Sequence, residues 1–164
     1  MSWKTVSAIM MSLLVISTLT LAFKIQSVKA DDGTIYINAD GSISPSTAPV
    51  YTTDNITYTL TGNTTAVTDG IVVERDNIVL DGAGFTVQGN GTGTFGQESN
   101  GIYLEGVSNV TIRNTTVESF HYGILLDSSS NNSISGNNIV NNLDHSIELD
   151  YSSNNSINLT GNYC

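Results

Sequence analysis

The sequence predicts an all-β protein, a single-stranded parallel β-helix of about four coils behind a short N-terminal cap. Three observations predict it. The chain lines up with itself in four rows: "GIVVERDNIVLDGAGFTVQG" from Gly70, "GIYLEGVSNVTIRNTTVESF" from Gly101, "GILLDSSSNNSISGNNIVNN" from Gly123 and "SIELDYSSNNSINLTGNYC" from Ser146. Self-similarity at such a period marks a solenoid. Each row opens on an alternating aliphatic pair, and asparagine recurs at one fixed place between the apolar positions. Helical repeats would need a sustained 3.6-residue period, and none is visible after Phe23.

Residues 1–30 read as an export signal. Lys4 supplies a short positive region, Thr5 to Phe23 is an apolar run, and Val28 and Ala30 occupy the −3 and −1 positions of a cleavage site between Ala30 and Asp31. An uncleaved anchor is the alternative, because the run nearly suffices to span a bilayer. Either way, residues from Asp31 onward are expected outside the cell. Cleavage removes every lysine (Lys4, Lys24, Lys29), leaving Arg75 and Arg113 against 15 acids, a net charge of 2 − 15 = −13. Such a chain repels nucleic acid and anionic membrane surfaces and attracts cations. Surface glycans or other envelope proteins are the partners that remain. Cys164 is the single cysteine and excludes an internal disulfide.

Residues 31–69 are expected to form the cap. Thr34 to Asn38 and Ile56 to Leu60 are strand-like, and "ADGSISPSTAP" between them holds both prolines. A solenoid needs such a segment to close its first coil.

Residues 70–164 carry the repeats. Ile71 and Val73, Ile102 and Leu104, Ile124 and Leu126, and Ile147 and Leu149 alternate, so each pair faces one side of a strand. A second inward position follows at Leu80, Ile112, Ile134 and Ile157, and a third at Val117 and Ile139. Three short strands per row of about 22 residues fit a β-helix, with coils about 4.8 Å apart. Asn77, Asn109, Asn131 and Asn154 each stand three residues before the second inward aliphatic. Asparagine tolerates the left-handed backbone region that a sharp corner needs, and stacked amides can bond along the column. The fourth row stops in mid-coil at "TGNYC", so a longer coding sequence is expected.

"IVLDGAGFTVQG", "SNVTIRN" and "NNSISGNNI" resemble the right-handed parallel β-helix repeats of the pectin-lyase-like superfamily. Within it they most resemble NosD-like proteins and the carbohydrate-binding and sugar-hydrolysis repeat domains. The head "IYINADGSISPSTAP" is similar to the N-termini of archaeal surface proteins with such repeats. The resemblance covers about residues 69–164 and implies a fold that hosts lyases, hydrolases, adhesins and scaffolds, so function must come from a site.

One column could carry chemistry. Glu74, Glu105, Asp127 and Asp150 each follow the first strand's second inward residue, one per row, with Asp76 and Asp81 expected nearby. In-register acids repel unless protonated, hydrogen-bonded or bridged by a cation. Turn capping explains them most simply. Calcium is the hard cation that an exported acidic column would take, and sugar hydrolysis would need two such acids in different protonation states. A lyase also wants a cation, and neither Arg75 nor Arg113 shares the column's register. Copper, which the NosD-like resemblance implies, would have to use His121, His145 and Cys164, and His145 aligns with Tyr122 rather than with His121. Soft copper(I) favours cysteine and methionine ligands, and Met1, Met10 and Met11 all lie in the signal.

Sugar binding would be favoured by an outward aromatic stripe, but Tyr103, Tyr122 and Tyr151 differ in register. Eight sequons begin at Asn55, Asn63, Asn90, Asn109, Asn114, Asn131, Asn154 and Asn158 and suit an exported glycoprotein. The composite expectation is an exported cell-surface module, structural or carbohydrate-interacting and without catalysis. A polysaccharide-acting enzyme and a copper accessory protein are the alternatives.

Exported protein should begin at Asp31 when its N-terminus is sequenced. Recovery of Met1 or Ser2 would instead establish the anchor.

Overall fold

The computed structural model describes residues 33–91 and 98–158 of the 164-residue chain. The signal, its cleavage site and Cys164 lie outside them. The described strands are β1 (Ile35–Ile37), β2 (Ile43–Ser44), β3 (Val50–Tyr51), β4 (Thr57–Leu60), β5 (Thr64–Ala66), β6 (Ile71–Val73), β7 (Val79–Asp81), β8 (Thr86–Gly89), β9 (Asn100–Glu105), β10 (Thr111–Arg113), β11 (Thr116–Glu118), β12 (Tyr122–Asp127), β13 (Ser133–Ser135), β14 (Asn138–Val140), β15 (His145–Asp150) and β16 (Ser156–Asn158).

They form three sheets. The first runs β15-β12-β9-β6-β1-β2, the second β16-β13-β10-β7-β4-β3 and the third β14-β11-β8-β5. All pairings are parallel except β1 with β2 and β3 with β4. Each coil gives one strand to each sheet, as a three-sided β-helix requires. The expected register holds: Ile71 pairs with Ile102, Ile102 with Ile124, and Ile124 with Ile147. Residues 31–69 do more than cap. Their β1, β4 and β5 make a first coil parallel to the rest, and β2 and β3 fold back antiparallel over its edges. Arg75 fastens this end by donating to the Ala39 carbonyl at 2.9 Å, and the buried Tyr58 hydroxyl donates to Gly41 at 2.8 Å.

The core is a set of columns. Ile35, Ile71, Ile102 and Ile124 are wholly buried, as are Ile37, Val73, Leu104 and Leu126 two residues along. Tyr58, Leu80, Ile112 and Ile134 line the second sheet, and Val87, Val117 and Ile139 the third. Full burial of one such aliphatic contributes about 1.5–3 kcal/mol. The column weakens in the last described coil, where Leu149 and Ile157 are exposed. Gly101 opens a row because the third sheet presses against the first there. A Cβ on it would overlap the Val117 side chain and the Gly123 carbonyl.

Two kinds of asparagine make the corners. Asn77, Asn109, Asn131 and Asn154 have positive φ between 56° and 62°, and Asn55 joins them in the first coil at 55°. Their side chains face outward, and Asn109 donates to Asn77 at 2.9 Å. The next residue does different work. Asn132 is buried, accepts from the Val110 amide at 2.8 Å and donates to the Val107 carbonyl at 3.3 Å. Asn155 repeats this one coil later on the Asn132 amide and the Ser129 carbonyl. Asn137 and Asn142 do the same at the other two corners, on Thr115 and Ile112 and on Phe120 and Val117. Ser129 and Ser152 complete the set. From Ser129 onward, each coil therefore satisfies corner backbone of the coil before it.

The two asparagine roles separate by mutation. Asn132→Ala leaves the Val110 amide buried without a partner and should cost about 1–3 kcal/mol. Asn131→Ala should cost about 1–2 kcal/mol through the left-handed backbone alone, a cost that Asn131→Gly avoids. Urea denaturation measures all three; an Asn132→Ala midpoint equal to wild type would remove the stapling role.

Candidate functional site

The outer face of the first sheet gathers the chemistry. Between the two inward columns, each strand turns one side chain outward. The register aligns Tyr36, Val72, Tyr103, Leu125 and Glu148 in that order. Tyr36 is exposed, whereas Val72 is only 5 % exposed and yet lies outside the core cluster. Tyr103 and Leu125 are half-buried. Tyr36 was missed in the sequence because the cap precedes the visible rows. Only the pairing of β1 with β6 puts it in register with Tyr103. Tyr122 and Tyr151 do fall elsewhere: Tyr122 pairs with Asn100 and His145, and Tyr151 stands at a left-handed corner.

The acidic column runs beside this stripe, two residues along each strand. Asp127 pairs with Glu105 on one side and Asp150 on the other, and Glu74 follows Val73, the partner of Leu104. Glu74, Glu105 and Asp150 are exposed, and Asp127 accepts from its neighbour Ser128 at 2.9 Å. None of the four pairs with Arg75, Arg113 or a described histidine. Turn capping falls to other acids. Asp54 takes the Ile56 and Thr57 amides, Asp40 the Ser42 amide and Asp76 the Ser108 amide. Asp81 lies on the second sheet, away from the column, where it takes the Ala83 amide and pairs with Arg113 at 2.9 Å.

Charge colours the stripe itself. Burial raises the pKa of the Tyr103 hydroxyl, and Glu105, Asp127 and Asp69 raise it further. These acids therefore lie close enough to the Tyr103 hydroxyl to disfavour its ionised form.

A second cluster sits at the start of β12 and β15. Tyr122 stacks on His145 with centroids 5.9 Å apart and meets His121 edge-on at 4.5 Å. His145 Nδ1 lies 3.3 Å from Asp144 and 3.5 Å from Glu148. Tyr122 thus contacts both histidines. Among the described residues, no three His, Cys, Asp or Glu side chains group as ligands for a metal ion, the acidic column included. A shallow depression lined by Thr65, Ala66, Val67, Gln88, Gly89 and Asn90 carries no titratable side chain. All eight sequon asparagines are exposed.

A family model described as "NosD: Periplasmic copper-binding protein (NosD)" matches residues 29–163. No curated protein matches the chain. No solved structure matches it.

Acid should act on Asp81. Burial raises its pKa, but the Ala83 amide, the Asn114 side chain and Arg113 together outweigh that and lower it. Its contribution is present above the unfolded value of about 3.9 and is lost as pH falls through the lowered folded value. In acid titrations followed by circular dichroism, Asp81→Asn should flatten the fall in stability below about pH 4. An unchanged slope would show that the pairing with Arg113 adds nothing.

Proposed function

The chain belongs to the NosD family, and we propose that it is an exported cell-surface β-helix module that binds extended glycans without cleaving them. The observation that carries this reading is the outward stripe in which Tyr36, Tyr103 and Leu125 offer surface and Val72 is covered, beside the acidic column. Flat aromatic and aliphatic side chains stack on the apolar faces of sugar rings, and flanking carboxylates accept from hydroxyls. Repetition at the coil spacing of about 4.8 Å suits a polymer better than a single sugar. Hydrolysis would require two carboxyls flanking one bond. The acids of the column stand side by side along a sheet instead. The periplasm in the family description and the export signal read in the sequence both support export.

Copper, the metal of the family description, does not fit the described residues. They hold no methionine and no cysteine, and Tyr122 contacts both histidines while no third ligand groups with them.

Tyr103→Ala should weaken binding to surface polysaccharide by about 1 kcal/mol beyond the lost contact area. The melting temperature should change little, because the ring faces outward. Tyr151→Ala, outside the stripe, should bind as wild type does. Affinity electrophoresis against a panel of polysaccharides measures this, and equal mobility of Tyr103→Ala and wild type would reject the face.

A further inference from the structure

We infer that the polymer lying on this face carries free amino groups, as a chain of unacetylated hexosamines does; the inference rests on the glycan reading above. The face sets two columns side by side. Tyr36, Tyr103 and Leu125 give one its accessible surface, with Val72 covered between the tyrosines, and Glu74, Glu105, Asp127 and Asp150 form the other. Residues two apart along a strand are separated by about 6.8 Å, and successive coils by about 4.8 Å. A sugar ring stacked on the first column therefore holds a ring substituent within reach of the second; in an extended β-1,4-linked chain successive rings turn over, so every second ring presents its amine to the acids.

Charge selects the substituent. The four carboxylates have no cationic partner among the described residues, and both arginines are engaged elsewhere, Arg75 on Ala39 and Arg113 on Asp81. Like charges opposite one another on adjacent strands destabilise a sheet. Ligand ammonium groups spaced along the column relieve that repulsion, while a uronate polymer would add to it. The aromatic face of Tyr103 attracts a cation as well. A neutral sugar offers the column hydroxyl donors only and leaves its charge unbalanced.

Isothermal titration of the full chain with three oligomers of equal length tests this: β-1,4-linked glucosamine, its N-acetylated counterpart, and galacturonate. Oligolysine serves as a cation without sugar rings. The glucosamine oligomer should bind most tightly and weaken about tenfold between about 0.05 and 0.5 M salt. The double variant Glu105→Gln, Asp127→Asn should lose about tenfold for glucosamine and much less for the acetylated oligomer, because the amide oxygens still accept from hydroxyls. Its melting temperature should not fall, which separates lost binding from lost folding. If the acetylated oligomer binds as well as glucosamine, and in a Tyr103-dependent way, the amine inference is overturned and the glycan face stands. Oligolysine binding as tightly as glucosamine, indifferent to Tyr103→Ala, overturns the hexosamine assignment. Binding of none of the four overturns both readings.

Discussion

The hydrogen bond that passes from one coil to the corner of the coil before it is what the rest of this molecule depends on. A strand in a stacked coil finds its partners in the ladder. A corner does so only in part: the Asn77, Gly106, Ser128 and Asn131 amides reach carbonyls of the next coil, whereas those of Val107 and Val110 turn to side chains. Buried amides left unpaired cost more than a paired one contributes. The middle and later coils solve this with an inward side chain: Ser129, Asn132, Asn137 and Asn142 each accept an amide and donate to a carbonyl of the preceding coil. Earlier coils put Ile78, Val107 and Val110 in buried corner places instead. The interior thus changes from apolar to polar corners along the axis.

That bond fixes more than stability. An asparagine or serine that must meet a particular amide one coil away admits no slip, and a one-residue slip would turn every inward aliphatic outward. Locked register is what turns an irregular surface into columns. Any outward side chain that recurs once per coil becomes a line with a spacing of about 4.8 Å. The tyrosine and aliphatic stripe and the acidic line beside it are both products of this rule.

The same rule sets how the described polar groups meet. Catalytic and metal centres need groups converging on one point from several directions. Strands of one sheet deliver groups in parallel, and the described carboxylates and histidines show that geometry. Glu105, Asp127 and Asp150 are neighbours without forming a cage, and Tyr122 contacts both His121 and His145. A line of like groups is better matched to a repeating ligand than to a reacting atom.

Periodicity was fully legible in the residues. The alternating pairs, their spacing and the asparagine three places before Leu80, Ile112, Ile134 and Ile157 require parallel coils, because only that arrangement stacks all of them in register. The acidic register followed from the same spacing. The first coil was hidden, since residues 31–69 share the geometry of the rows without their motif, and strand pairing alone shows that Ile35 stacks on Ile71. The buried role of Asn132, Asn137 and Asn142 was hidden too. Adjacent asparagines look alike in a sequence, and only the closed coil decides that Asn131 bends the chain outside while Asn132 bonds within. Tyr36 joined Tyr103 for the same reason: register across chain-distant strands is a property of the stack. The sequence by itself determined the coil and its repeat; the tertiary structure decided which polar groups face inward and which outward ones stand side by side, because both depend on the neighbour that the next coil supplies.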